Sequence, residues 1–207
     1  MTVLYLIRHS EKMQGPTNMW ETFDRIQPLS VRGEEKAKAL LELEYLRNAD
    51  VAYCSPYART YSTLRYLMEA DGFSVTMDER LRELDFGGDI SQMGPPPHGG
   101  KGMPRKFDDI RARQWQDRDL ADVNGESINQ CCARMTEAIG EILRANPGKK
   151  ILVGSHGAAI CAYLSGLIPG IDDDYARTVA QPSVFRLTFD GEEFKGMERL
   201  TPPKERM

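Results

Sequence analysis

Cysteine, histidine and tryptophan are scarce in this chain: four, three and two among 207 residues. The cysteines, Cys54, Cys131, Cys132 and Cys161, form no C-x-x-C pair, and the adjacent two are badly placed to bridge each other. That argues against a disulfide scaffold or a cysteine-rich zinc module. The four are expected as small core hydrophobes in a reduced compartment. No run approaches about 18 apolar residues, so no membrane-spanning helix is expected. The opening stretch, MTVLYLIRH, has no basic segment before its short apolar run, so no secretory signal is expected there, and a cytoplasmic location follows as an expectation. An excess of positive charge is lacking too: 27 Lys and Arg stand against 31 Asp and Glu, a net charge of −4. General nucleic-acid binding feeds on phosphate neutralisation and is a poor match for that balance. A small cationic pocket remains compatible with it.

What is present is an ordinary globular composition, 41% hydrophobic and 28% charged. A chain this long buries roughly 70% of its unfolded surface and needs no staples. A single domain over residues 1–207 is expected. Residues 2–8, TVLYLIR, read as a buried strand, as do DVAYCS at 50–55, FSVTMD at 73–78 and KKILVGS at 149–155. Helical pattern lies between them. Ser30 is placed to cap a helix running on towards Arg47, and Pro56 opens another that Gly72 ends. GESINQCCARMTEAIGEILRANPG is the cleanest amphipathic helix, with Ser127 and Gln130 spaced as a capping box. AAICAYLSGL continues as a helix, and SVFRLTFDGEEFKGMERL reads as a hairpin turning at Asp190-Gly191.

Strands alternating with helices predict an α/β protein, a three-layer α/β/α sandwich around a mostly parallel sheet. The rhythm breaks at LDFGGDISQMGPPPHGGKGMP, whose density of Gly and Pro suits no regular element. Helical pattern resumes near Pro104 towards Arg118, and residues 101–118 carry six Lys or Arg against three Asp. Residues 87–118 therefore read as a loop plus a helical cap insertion, suited to selecting substrate and to placing Lys101, Arg105, Lys106, Arg111 or Arg113 on a second anionic group. Trp20, Phe23 and Trp115 are candidates to flank the pocket.

Parallel sheets carry their sites outside the carboxyl ends of the strands. Two of the three histidines, His9 and His156, stand at such ends; the third, His98, falls in the Gly/Pro loop and reads as a solvated residue. Arg8 precedes His9. Arg59 lies in the first turn after CSPY, where an arginine opposes the helix dipole unless an anion sits beside it. Arg47 and Arg65 have no such placement and read as solvated. Two imidazoles and two guanidiniums on one edge suit a phosphoryl group, whose oxygens match a guanidinium fork and whose phosphorus a histidine can attack. A leaving oxygen then needs a proton, and RLRELDFGG offers Glu83 and Asp85.

The motifs LIRHS, SPYARTYST, LRELDFG, GES and VGSHGAAI, in this order and spacing, resemble those of the histidine phosphatase superfamily, the phosphoglycerate mutase-like proteins, over about residues 2–190. The resemblance implies a phosphohistidine intermediate on His9, a phosphate pocket of Arg8, Arg59 and His156, and Glu83 as proton donor, with Asp85 a helper or loop-stabilising group. It implies neither metal nor other cofactor. The reading is a phosphomonoester hydrolase acting on a small phosphorylated metabolite, as a monomer or homodimer. Two alternatives stay beside it: a cofactor-dependent phosphoglycerate mutase, and a non-catalytic phosphate-binding module. The mutase branch continues its first motif to Ser-x-Trp-Asn, whereas here Lys12 replaces the serine and no Trp-Asn follows. The acid phosphatase branch carries a late His-Asp that SHGAA lacks. One departure is local. The family's glycine after the nucleophile is Ser10, small enough to be tolerated and able, with its hydroxyl, to bind the phosphate.

Overall fold

The structure, a computed structural model, describes residues 1–13, 24–87 and 105–200. Its centre is a six-stranded sheet in the order β3-β2-β4-β1-β5-β6. Strands β1 (Thr2–Arg8), β2 (Val51–Cys54), β3 (Val75–Met77) and β4 (Lys150–Ser155) run parallel; β5 (Ser183–Asp190) and β6 (Glu193–Leu200) form an antiparallel hairpin at one edge. Gly191, at φ 59°, makes the hairpin turn foreseen at Asp190-Gly191.

Alternation along the strands builds two cores. Leu4 and Leu6 of β1, Ile151 and Val153 of β4 and Phe185 and Leu187 of β5 face one side. There they meet α4 (Ile128–Ala145) and α5 (Gly157–Leu167). Tyr5, Ile7, Leu152 and Val184 face the other side, against Leu64 and Leu67 of α2 (Ala58–Asp71) and against Leu40, Leu43 and Leu46, which follow α1 (Val31–Ala39). A strand buried on both faces reads as a continuous apolar run, as "VLYLI" does. Helices on both faces of the sheet make the three-layer α/β/α sandwich that the strand–helix alternation predicts.

Local signals set most boundaries. Ser30 accepts from Gly33 N at the start of α1, Ser127 and Gln130 form a reciprocal capping box on α4, and Gly72 closes α2 in the left-handed region at φ 73°. Two elements differ from the sequence reading. The helix from Ser30 does not continue to Arg47; after Ala39 it passes into 3₁₀ turns at Leu40–Glu42 and Glu44–Leu46. Buried Leu40, Leu43 and Leu46 recur every third residue, the spacing that a 3₁₀ turn stacks on one side. A short helix, α6 (Asp173–Arg177), stands where the sequence shows no apolar period, capped by the Asp172 side chain on Tyr175 N.

In the cap region, α3 (Arg105–Gln116) is the helix expected after Pro104. It docks on the body through an Arg111–Asp173 ion pair at 2.9 Å and through Gln114, whose amide donates to Glu126 O at 3.0 Å. Trp20, Phe23, His98, Lys101 and the Gly/Pro loop from Gly88, with the side chains of Arg105 and Lys106, lie outside the described residues.

Candidate active site

Three neighbouring strand ends make the site. β1, β4 and β2 lie side by side and parallel, so the residues after them emerge together. Arg8 pairs in register with Ser155, His9 N donates to Ser155 O at 3.0 Å, and Ser55 N donates to Gly154 O at 2.9 Å. This register brings His9 and His156 edge to face, with ring centroids 5.2 Å apart and planes at 62°.

Each imidazole has one nitrogen committed to the protein. His9 Nδ1 lies 2.7 Å from Ser10 O. A carbonyl only accepts, so Nδ1 carries the proton and Nε2 keeps its lone pair. His156 Nε2 lies 2.8 Å from Ser55 Oγ, and its Nδ1 is buried with no hydrogen bond among the described residues. Both rings are held well below the usual histidine range. Burial is the main cause, followed for His9 by Arg59 and Arg8, and for His156 by Arg59, His9 and Arg8. Both are therefore neutral at physiological pH: His9 keeps a lone pair at Nε2, and His156 has a polar ring atom to spare.

The arginines frame the pair. Arg8 donates from one terminal nitrogen to Val179 O, and its Nε is buried without an acceptor among the described residues. Its guanidinium lies so close to the start of α5 that a Cβ on Gly157 would come within 2.9 Å of Arg8 Cζ. Arg59, only 2% exposed, is the second residue of α2 and packs its guanidinium 4.8 Å from the ring centre of Tyr57, which in turn meets His156 edge-on at 4.9 Å. Its two terminal nitrogens hold Asp24: Nη1 to the backbone carbonyl at 2.5 Å and to Oδ1 at 3.1 Å, Nη2 to Oδ2 at 3.2 Å. Lys12 Nζ joins the same Oδ1 at 3.3 Å. Burial pulls the Lys12 ammonium below its usual range, with Asp24 opposing and Arg59 reinforcing the shift.

Glu83 comes from the loop after β3. Its Oε1 accepts from Leu84 N and from Ala159 N in the first turn of α5, both at 2.9 Å. The loop is clamped from outside by Arg134. That guanidinium donates to the carbonyls of Arg80, Arg82 and Glu83 at 2.6, 2.9 and 3.0 Å and pairs with both Glu126 oxygens at 2.6 and 2.7 Å. Glu126 is the glutamate of GES; it also accepts from Asp85 N at 3.3 Å. Asp85 is exposed and takes the Gly87 N–H at 3.0 Å, a local turn contact.

The structure thus brings His9, His156, Arg8, Arg59 and Glu83 to one edge. Ser10 is fully buried beneath them, and both its donors are used inside the protein: the amide on Thr63 Oγ1 at 2.8 Å and the hydroxyl on Gly33 O at 2.7 Å. Sequence reasoning missed Asp24, Ser55, Thr63 and Arg134. Ser55 and Thr63 sat inside the quoted SPYARTYST motif, Ser55 at a strand end that signals it; Asp24 and Arg134 carry no such local signal, because their partners are distant in the chain. Arg47 and Arg65, read as solvated, make ion pairs: Arg47 with Asp71, whose side chain is 4% exposed, and Arg65 with the more open Glu34. Among the described residues no cluster of three His, Cys, Asp or Glu is placed to hold a metal ion. Cys54 and Cys161 are buried free thiols pushed up to about 12 by burial, which keeps them protonated and inert.

The sequence model of the histidine phosphatase superfamily (branch 1) matches residues 4–199. The chain belongs to that superfamily. Its relatives include a probable mutase and a phosphatase. It is 28% identical over 174 residues to a probable phosphoglycerate mutase, GpmB, of Enterobacter sp. (strain 638), covering 81% of this chain and 75% of the relative. It is 27% identical over 173 residues to phosphoserine phosphatase 1 of Hydrogenobacter thermophilus, covering 83% and 78%. In three dimensions it superposes on the phosphoserine phosphatase of Entamoeba histolytica in complex with 3-phosphoglyceric acid, with a TM-score of 0.71 over 99% of this chain and 98% of that one, at 21% identity. That likeness confirms the fold. The histidine phosphatase motifs fall where the geometry gathers: RHS at the end of β1, SPYAR between β2 and α2, SHG between β4 and α5.

Proposed function

We propose that this histidine phosphatase hydrolyses phosphomonoesters of small metabolites through a phosphohistidine on His9. The observation that carries the reading is the pairing of His9 Nδ1 with Ser10 O, which leaves Nε2 unprotonated beside two buried guanidiniums. In the first half, Nε2 attacks phosphorus, the P–O bond to the alcohol breaks, and Glu83 gives its proton to the leaving oxygen. In the second half, water attacks phosphorus and returns a proton to Glu83. The P–N bond then breaks, its electrons return to Nε2, and inorganic phosphate leaves. Arg8, Arg59 and His156 hold the three non-bridging oxygens throughout, donors fixed before charge develops on them. Asp85 keeps the Glu83 loop in shape.

Both the phosphoserine phosphatase relative and the structural neighbour point towards small carboxylated phosphomonoesters as the first substrates to try. The chain is read as one domain whose cap helix, α3, borders the site and bears on substrate choice. Four free cysteines favour a reducing, cytoplasmic setting.

The test is release of inorganic phosphate from p-nitrophenyl phosphate and from a panel of phosphorylated metabolites, with trapping of a phosphorylated protein by alkaline denaturing quench, which spares the acid-labile P–N bond. Wild type should turn over and trap, and His9→Ala should do neither. Equal, slow release by both would sink the enzyme reading and leave a phosphate-binding module. The likeness to a probable mutase favours one second reading. Interconversion of 2- and 3-phosphoglycerate faster than phosphate release would decide for it.

A further inference from the structure

Ser10 stands where the superfamily's first motif has glycine, and its side chain is not idle. Three bonds radiate from this one buried residue. The carbonyl takes His9 Nδ1 at 2.7 Å, the amide goes to Thr63 Oγ1 at 2.8 Å, and the hydroxyl goes to Gly33 O at 2.7 Å. Thr63 in turn donates to Arg59 O at 2.7 Å. The residue therefore lies between the nucleophile on β1, the helix α2 that carries Arg59, and the helix α1 that carries Gly33.

The Gly33 end of this bridge is itself immobile. Gly33 N donates to Ser30 Oγ at 3.0 Å, and Ser30 is tied to the next residue of the first motif, N to Glu11 O and Oγ to Glu11 Oε1, both at 2.9 Å. A Cβ on Gly33 would fall 1.9 Å from Glu11 O, so α1 and the chain after His9 touch backbone to backbone. Ser10 itself has no left-handed backbone angle that would call for glycine.

We propose that Ser10 is a positioning residue: its hydroxyl, anchored on Gly33 O, fixes the peptide whose carbonyl selects the Nδ1–H tautomer of His9 and registers the nucleophile with the helix that carries Arg59. The inference deepens the phosphohistidine reading and rests on it for its kinetic consequence. The physical reason is that a glycine here would leave the peptide's orientation to the amide bond alone, with the largest backbone freedom of any residue. A serine tethered at three points removes that freedom. The tautomer matters because an Nε2–H imidazole has no lone pair at the attacking atom. With both donors spent on Thr63 and Gly33, Ser10 has no hydrogen left to give a phosphoryl oxygen.

The experiment uses the full chain with ¹⁵N-labelled histidine, and the variants Ser10→Ala and Thr63→Val. Nitrogen chemical shifts read the His9 tautomer without substrate. The kinetic constants for p-nitrophenyl phosphate and competitive inhibition by inorganic phosphate read the site. Wild type should show Nδ1–H alone. Ser10→Ala should show a tautomer mixture and a kcat lower by about tenfold, the cost of one buried hydrogen bond at the transition state. Its KM and phosphate inhibition should stay within about twofold, since no phosphate ligand is lost. Thr63→Val removes the acceptor of the Ser10 amide, in the peptide before that carbonyl, and so loosens the same residue from its other side; it should mix the tautomers too, keeping the test open if Ser10→Ala folds poorly. A rise in KM and in the phosphate inhibition constant with kcat kept would make Ser10 a phosphate ligand and overturn the inference. An unmixed tautomer with unchanged kcat in both variants would overturn it as well. Absence of any phosphatase activity in wild type would instead defeat the hydrolase reading, while the tautomer measurement would still judge the positioning role.

Discussion

The rings of His9 and His156 meet edge to face, 5.2 Å between centroids, because the parallel strands that carry them are hydrogen-bonded neighbours paired up to Arg8 and Ser155. Two imidazoles this close, both buried and both beside Arg8 and Arg59, have nowhere to keep a positive charge. The site is cationic through its guanidiniums and neutral through its histidines, which is the division of labour that phosphoryl transfer to nitrogen needs.

This arrangement makes the fold acid-sensitive. Each ring sits well below its ordinary value of 6.5 in the folded protein. Below that value the unfolded chain takes up protons that the folded chain refuses, so stability falls as pH drops through 6.5 and continues to fall until the folded values are reached. Each histidine contributes up to about 1.4 kcal/mol per pH unit. The melting temperature should therefore drop more steeply between pH 6.5 and 5.5 in wild type than in His9→Gln, which has only one buried imidazole left at this edge. Parallel melting curves for the two proteins would contradict the assignment.

Asp24 bears on how tightly the pocket holds phosphate. Its carboxylate takes both terminal nitrogens of Arg59 and the ammonium of Lys12, the contacts an incoming phosphoryl group would want. Asp24→Asn removes the competing charge but keeps the backbone carbonyl on Arg59 Nη1. Inorganic phosphate should then inhibit more strongly, by about fivefold, the scale of one partly solvated charge interaction near 1 kcal/mol. Unchanged or weaker inhibition would show that Asp24 positions Arg59 rather than competing for it.

Much of this is legible in the chain and some is not, for reasons that lie in the contacts themselves. "VLYLI" and "ILVGS" announce strands buried on both faces, and strand–helix alternation puts His9 and His156 on one edge of the sheet; that their strands are neighbours follows from the order β2-β4-β1, which alternation does not give. Arg59 is legible through its awkward place at a helix start. The carboxylate that resolves that awkwardness, Asp24, is not, since nothing local links positions 35 residues apart. Arg134 reads in sequence as one more surface cation on an amphipathic helix. It becomes the clamp of the Glu83 loop only when α4 packs beside that loop. Ser10 illustrates the limit best: the departure from glycine is visible in the motif, but its partners Gly33 and Thr63 belong to two other helices.

The Arg134 clamp should govern stability and the acid together. The guanidinium and Glu126 are mostly buried, with side chains 11% and 9% exposed. Arg134→Met would leave three backbone carbonyls without this donor and Glu126 with only the longer contacts from Arg82 at 3.2 Å and Asp85 N at 3.3 Å. Breaking a buried pair from one side costs about 3–5 kcal/mol. For a domain of this size that lowers the melting temperature by about 6–20 °C. Loss of the Glu83 anchor should also lower kcat at temperatures where the variant is still folded. A variant that melts like wild type would refute the clamp.

Gly157 tests the clamp on the opposite side of the phosphate site. It begins α5, and its missing side chain is what lets the Arg8 guanidinium lie against the helix: an alanine Cβ would meet Arg8 Cζ and Nε, each at 2.9 Å. Arg8 cannot yield freely, because it is largely buried and bonded to Val179 O. Gly157→Ala should therefore push the guanidinium off the phosphoryl position while leaving His9, which is held from the Ser10 side, in place. Losing one charge-assisted contact of about 1.5 kcal/mol predicts roughly a tenfold rise in KM and in the inorganic phosphate inhibition constant. Alanine itself suits a first helical turn, so the melting temperature should fall only by the cost of displacing the guanidinium, about 1–3 kcal/mol, and the tautomer of His9 should remain Nδ1–H. A fall in kcat with unchanged phosphate affinity would assign Arg8 to the transition state alone and remove it from ground-state binding.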